Sequence, residues 1–299
     1  MQYLVLGGGV SPEKEVSARS ATAVQTALES LGHTVEYLNP ATTSQKDIVA
    51  AAKGCDGVFP ILHGVGGEDG TLQALFEREA IPYFGPDTIA CQNTFDKVVF
   101  KKILEAHGIP TPRWSVVSAQ TFTTEPLTEA PFVIKPISGG SSIDTFIVRG
   151  LPFDATPIIE ALSRYDTMLV EELIEGDEIT VGVLENEALP VVEIIPPLDK
   201  EFDYENKYNG ATRELCPPEH VSAELQQKAQ ALALTVHVTT QCRHLSRTDM
   251  LIDTDGNLFV IDTNTIPGLT SQSLYPKAAT TAGYNWTELV KRFASLFAQ

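Results

Sequence analysis

Between residues 245 and 264 the chain reads LSRTDMLIDTDGNLFVIDTN, and four of its polar side chains, Arg247, Asp249, Asp262 and Asn264, are of the types that handle phosphate and metal ions. Asp255-Gly256 between two apolar runs is a strong signal for a two-residue hairpin turn. With that turn, residue 254 faces 257, and counting outward sets Asp249 opposite Asp262 and Arg247 opposite Asn264. Strand alternation then places all four side chains on one face. Two directly opposed carboxylates repel unless a cation lies between them. The face therefore reads as a hard-cation site of oxygen ligands, Asp249, Asp262 and the Asn264 amide, suited to Mg²⁺ holding substrate phosphates. A solvated face of an edge hairpin is the plainer reading of the same pattern. Just downstream, Pro267-Gly268 supplies a turn where a backbone amide without a Cβ beside it can be aimed at an oxyanion.

Three further stretches have chemical potential. In PFVIKPISGGSSIDTFIV, Lys135 ends a strand and runs into the Ser138–Ser142 loop, whose amides and hydroxyls suit phosphates while the lysine supplies a point charge. The lysine precedes the glycines, so this is not a Walker A loop, and a simple hairpin connection is the alternative. MLVEELIEGDEITV places Glu171 at a strand end and Glu178 near the start of the next strand, where carboxylates can accept from an adenine amino group or ribose hydroxyls. Taken alone, two glutamates in an acidic chain read as solvated. EFDYENKYNG is polar and aromatic with few packing residues, and its Lys207 and Tyr208 suit a closing lid.

The elements that must hold these groups follow from hydrophobic periodicity. A buried strand at residues 3–6 runs into Gly7-Gly8-Gly9 and then a helical pattern from Val16 to Leu31, followed by the strand TVEYL, a helix around 45–53 and a strand at 57–62. That last strand leads into HGVGGEDG and a helix from about Gly70, with Glu68 and Asp69 as candidate caps. Both glycine loops follow parallel strands and are expected to line one crevice. A full GxGxxG fingerprint is absent, which argues against a dinucleotide site. Residues 89–176 read as a second, α+β unit, and 177–299 as a third, mostly antiparallel, with closing helices at 221–238 and 286–297.

The 299 residues carry a formal charge of -18, which disfavours a nucleic-acid surface but leaves room for one small anionic ligand. Four scattered cysteines and six scattered histidines form no CxxC or HExxH pattern. No segment has the length or apolarity of a membrane span or signal peptide, so a cytoplasmic location is expected.

Taken together these stretches resemble the D-alanine–D-alanine ligases of the ATP-grasp superfamily. GGxSxExxVS is met at Gly8–Ser17, HGxxGEDG at residues 63–70, the DK pair at Asp96-Lys97, and KPxxxGSS at Lys135–Ser142. YExKY is met at Tyr204–Tyr208, RxD at Arg247–Asp249, and NTxPGxTxxSL at Asn264–Leu274. The resemblance implies a three-domain ATP-grasp fold, α/β and α+β, with an open parallel α/β domain at 1–88, a central domain at 89–176 and a C-terminal domain at 177–299. It also implies ADP-forming ligation of two D-alanines through an acyl phosphate for peptidoglycan precursors, ATP as co-substrate, two Mg²⁺ or Mn²⁺ ions, and a homodimer without nucleic-acid or membrane partners.

By the same resemblance Glu13 holds the first substrate's ammonium, Ser141 and Tyr208 order the lid, and Lys97, Lys135 and Lys207 bind phosphates. Glu171 and Glu178 take adenine and ribose. Arg247 and the Gly268 amide stabilise oxyanions, Ser273 and Leu274 contact the second D-alanine, and His63 orients the first site. Asp249, Asp262 and Asn264 are the implied metal ligands. Three positions depart from the family pattern: Asp262 where Glu is usual, and Asp144 and His244 where glycine is usual. Another ATP-grasp ligase joining different amino or hydroxy acids, and a non-catalytic nucleotide-binding homologue, are the competing expectations.

Overall fold

The computed structural model describes residues 1–197 and 212–298. The chain opens with β1 (Gln2–Leu6), α1 (Lys14–Ser30), β2 (Thr34–Leu38), α2 (Gln45–Lys53), β3 (Gly57–Pro60) and α3 (Thr71–Arg78). The three strands form a parallel sheet in the order β2-β1-β3. Small and apolar residues recur along α1 at Val16, Ser17, Ser20, Ala21, Val24, Ala27 and Leu28, one face of a 3.6-residue period, and all are buried. The Ser17 hydroxyl donates to the Ile61 carbonyl at 2.5 Å and accepts from the Gly8 amide at 2.9 Å, fastening the first glycine loop to the end of β3.

Next come α4 (Thr88–Phe95), α5 (Lys97–Ala106), β4 (Trp114–Ser118), β5 (Phe132–Pro136), β6 (Phe146–Val148), α6 (Thr156–Tyr165) and β7 (Thr167–Glu172). Their strands make an antiparallel sheet ordered β4-β7-β5-β6. The remaining strands are β8 (Gly176–Leu184), β9 (Glu187–Ala188), β10 (Val192–Ile195), β11 (Arg213–Leu215), β12 (Leu245–Asp253) and β13 (Leu258–Asn264), interrupted by α7 (Ala223–Thr239). They form a second antiparallel sheet in which β8 and β12 are central.

Two helices close the chain, α8 (Leu274–Thr281) and α9 (Trp286–Ser295). The sequence reading anticipates α7 and α9 but not α8, a short helix with Pro276 in its first turn. One apolar cluster runs from Tyr3, Val24 and Phe59 to Tyr275, Leu289 and Phe293, so the last helices cover the first sheet rather than standing apart. Leu4, Ile48, Leu72 and Phe76 fill its other face. Asn285 begins α9 with a reciprocal capping box to Glu288. Replacing Asn285 with Ala should lower stability by about 1 kcal/mol in a urea titration without changing ligand affinity.

The hairpin that carries the candidate ligands corrects the expected turn. Asp253 rather than Thr254 closes the loop, its amide donating to Asn257 at 3.0 Å, and Gly256 adopts φ +80°. The pairs Ile252↔Leu258 and Met250↔Val260 lie one step off the expected register. An extra residue, Ile261, then bulges between Val260 and Asp262 and restores Asp249↔Asp262 and Arg247↔Asn264. A three-residue loop and a bulge thus compensate, and the predicted face survives.

Candidate active site

A cavity of about 860 Å³ opens between the two antiparallel sheets, with the glycine loops of the parallel unit at one end. Ten of the residues singled out from sequence line it: Glu13, Lys97, Lys135, Ser141, Glu171, Glu178, Arg247, Asp249, Asp262 and Asn264. His63, Gly268, Ser273 and Leu274 are not among its lining residues, and Lys207 and Tyr208 lie outside the described residues.

Glu13 stands at the N-cap of α1 but makes no side-chain capping bond. Its carboxylate instead accepts from the Ser141 hydroxyl at 2.5 Å, linking the first loop to the Ser138–Ser142 loop. Gly64 and Gly140 make room for it, because a Cβ on either would fall 3.3 or 3.2 Å from Glu13 Oε2. Lys97 follows the N-cap Asp96 of α5 and donates to the Gly139 carbonyl at 2.6 Å, with its own amide held by Ile137. The loop is therefore gripped from two sides before any nucleotide enters.

Lys135 ends β5 and pairs with Glu171 Oε2 at 2.5 Å, while Lys101 pairs with Oε1 of the same carboxylate. Burial opposes the charge of Glu171, but Lys135 and Lys101 outweigh it and bring its pKa to about 2. For Lys135, burial is likewise outweighed, by Glu171, Asp262 and Glu178, and its pKa lies above the usual lysine value. Burial lowers that of Lys97. Lys101 was not foreseen as a site residue, although helical spacing signals it: Lys97, Phe100, Lys101 and Leu104 make one buried stripe of α5.

On the opposite wall, Arg247 forks onto Asp249 with Nε to Oδ1 at 2.9 Å and an Nη to Oδ2 at 2.8 Å. Thr180 donates to Oδ1 at 2.5 Å and the Asn264 amide to Oδ2 at 3.0 Å. The protein itself thus offsets Asp249, and the repulsion expected of opposed carboxylates is partly absorbed by Arg247. Asp262 accepts from the Thr263 amide at 2.9 Å and forms no ion pair among the described residues.

Ser273 is the N-cap residue of α8, yet its hydroxyl turns to Thr270, accepting from the amide at 3.2 Å and sharing a bond with Thr270 Oγ1 at 2.8 Å. A Cβ on Gly268 would sit 2.8 Å from that hydroxyl, so glycine permits the close approach. Leu274 belongs to the main apolar cluster.

The three departures from the family pattern also have structural settings. Asp144 has φ +52°, a conformation glycine adopts without strain, and its carboxylate is bound by Arg164 at 2.8 Å and Tyr165 at 2.6 Å rather than lining the cavity. His244 has φ +62°; its Nδ1 accepts from the Gly85 amide at 3.0 Å and its ring stacks on Phe84. Burial and neighbouring Arg243 and His237 bring His244 to about 4, keeping the imidazole neutral. Asp262 remains on the cavity wall because the bulge turns both it and Ile261 inward.

Glu68, expected only as a cap, is partly buried, with its oxygens accepting from Gly64 at 2.8 Å and Ile266 at 3.3 Å. Burial and the charges of Glu13 and Asp262 raise its pKa to about 8, although the two amide bonds act in the opposite direction. Beside it, His63 is held below the ordinary histidine value by burial, and its Nε2 has no hydrogen-bond partner among the described residues.

An acid whose folded pKa is raised holds its proton after the unfolded chain has lost it. In metal-free protein, Glu68 therefore reduces stability as pH rises from about 4.5 to about 8. Glu68→Gln should flatten that decline by about 3 kcal/mol, measured by urea unfolding between pH 5 and 8. An unchanged slope would mean that Glu68 is ionised in the native protein.

Comparison with known proteins agrees with this architecture. Family models described as D-ala D-ala ligase N-terminus and D-ala D-ala ligase C-terminus match residues 38–86 and 103–295. A D-alanine–D-alanine ligase of Synechococcus is 36% identical over 98% of this chain and 92% of its own, and one of Maridesulfovibrio salexigens is 37% identical over 99% and 98%. Among solved structures, a Bacillus anthracis D-alanine–D-alanine ligase superposes with TM-score 0.84 at 31% identity, covering 100% of this chain and 97% of that one. The same enzyme complexed with ATP gives 0.83 at 29% identity, with the same coverage. With the family models spanning most of the sequence and the cavity assembled from its motifs, the chain belongs to the D-alanine–D-alanine ligase family.

Proposed function

We propose that this protein joins two D-alanines at the expense of ATP, releasing ADP and phosphate, as a step in making peptidoglycan precursors. The observation that carries this reading is the convergence of Lys97, Lys135, the Ser138–Ser142 loop, Glu13 and the Arg247–Asp249 pair on one cavity. In this reading Lys135 and Lys97 meet the nucleotide's phosphates, while Glu178 and the walls near Glu171 receive ribose and adenine. Glu13, backed by Ser141, holds the ammonium of the first D-alanine.

A carboxylate oxygen of that D-alanine attacks the γ-phosphorus, and ADP leaves. The amine of the second D-alanine, having lost a proton, attacks the acyl phosphate carbonyl and phosphate departs. Arg247 and the Gly268 amide face the negative charge that develops, where fixed donors contribute most in a closed site. Ser273, oriented by Thr270, anchors the second carboxylate.

The donor set beside Arg247 fits a hard divalent cation. Asp249 and Asp262 are paired across the hairpin, Asn264 adds an amide, and Asp262 has no protein cation bound to it among the described residues. Asp249, Asp262 and Asn264 would hold Mg²⁺, which supplies positive charge against the phosphate oxygens. Among the described residues no helix is long and apolar enough to cross a membrane. We read the working form as a cytoplasmic homodimer of three-domain subunits divided near residues 88 and 176.

The test is ADP release by purified protein with ATP and Mg²⁺, comparing D-alanine, L-alanine and no amino acid, with the dipeptide identified by mass spectrometry. Turnover and dipeptide only with D-alanine is the expected result. ATP binding without stimulation by D-alanine would sink the assignment.

A further inference from the structure

The lysines around the cavity are not equivalent. Lys97 and Lys135 line it, whereas Lys101, one turn further along α5, is 1% exposed and does not. Lys101 Nζ donates to Thr111 Oγ1 at 2.6 Å, and Thr111 donates in turn to the Val260 carbonyl at 2.7 Å, next to the bulge that presents Asp262. Its ion pair is with Glu171, which is 3% exposed and is also held by Lys135. One buried and one cavity-facing ammonium group thus share one buried carboxylate, and only the second can reach a ligand.

That inequality has a consequence for binding. A buried carboxylate stripped of its counter-charge is costly, so it retains any cation within reach. While Lys101 stays on Glu171, Lys135 can turn to an arriving phosphate without leaving the carboxylate unpaired. Without Lys101, the same movement would strand Glu171.

We propose that Lys101 is a positioning residue: by neutralising Glu171 from below, it makes Lys135 available to the phosphates of the nucleotide. The inference rests on the ATP-binding reading of the cavity. It assigns Lys101 no contact with substrate, and it makes Glu171 chiefly the shared anchor of the two lysines.

The experiment is calorimetric titration of the full chain with ATP·Mg²⁺ and, separately, with adenosine, which lacks the phosphates that Lys135 would meet. The ratio of the two affinities is the readout, because general loosening of the fold would weaken both ligands together. In Lys101→Met the ATP-to-adenosine ratio should fall about thirtyfold, the value of one charge-assisted bond, while Lys101→Arg should keep it within about fivefold. Should Lys101→Met fail to fold, Lys101→Met combined with Glu171→Gln removes the stranded charge and should hold the ratio near that of the wild type. An unchanged ratio in folded Lys101→Met, or a collapsed ratio in the double variant, overturns the assignment. Wild-type protein that binds no ATP would overturn the function proposed above, and this inference with it.

Discussion

Arg247→Met should lower the rate of D-alanine-dependent ADP release by about three decades, with Arg247→Lys intermediate at about two. The side chain is only 14% exposed, and its two nitrogens fit the two oxygens of Asp249 in a fork that lysine cannot reproduce. Methionine keeps the volume but removes the guanidinium from Asp249, which still accepts from Thr180 and Asn264 and has Asp262 directly across the hairpin. The carboxylate pair then repels, and the wall loses the cation proposed to meet developing negative charge. Thermal unfolding of each variant separates the two effects, since breaking the buried pair lowers stability as well. Arg247→Met/Asp249→Asn removes both charges and should recover stability but not rate. If folded Arg247→Met turns over within tenfold of wild type, Arg247 is only the structural partner of Asp249 and the oxyanion role belongs elsewhere.

This wall shows how far sequence reasoning reaches. The pairing of Asp249 with Asp262 was legible because Asp-Gly between apolar runs announces a hairpin, yet the turn itself was placed one residue off. The correction lies in Ile261, an ordinary apolar residue whose bulge has no signature in composition or spacing. Helices α1, α2, α3, α7 and α9 were visible through their residue patterns, whereas α8 carries Pro276 in its first turn and does not announce itself. Lys101 is hidden for a different reason: lysine is ordinarily a surface residue, so its residue type gives no sign that it sits on the apolar stripe of α5. Glu68 looked like a cap because its neighbours make a helix entry, and only the Gly64 and Ile266 amides bound to it reveal an acid drawn inward from the helix start. The left-handed backbone of Asp144 and His244 explains why glycine suits those positions, but backbone angles are not written in the residue types that replaced it.

Gly176→Ala should cost about 4 kcal/mol of stability, among the largest effects of a single methyl in this chain. Gly176 opens β8 and pairs with Asp253 at the end of β12. A Cβ added there would lie 1.8 Å from the Ile252 carbonyl oxygen, 2.8 Å from its carbon and 3.0 Å from the Asp253 Cα. All three obstacles are backbone, so no side-chain rotation relieves them. The only escape is to pry β8 from β12 at the mouth of the cavity. That displacement would carry Glu178 away from Leu251, its partner across the ladder, and would propagate toward Thr180, whose hydroxyl holds Asp249. Urea unfolding should therefore show the loss of stability, and ATP titration a weaker affinity even at concentrations of denaturant where the variant remains folded. Stability within 0.5 kcal/mol of wild type would instead mean that the two strands part here at little cost, making the junction of β7 and β8 a hinge rather than a fixed floor for the nucleotide.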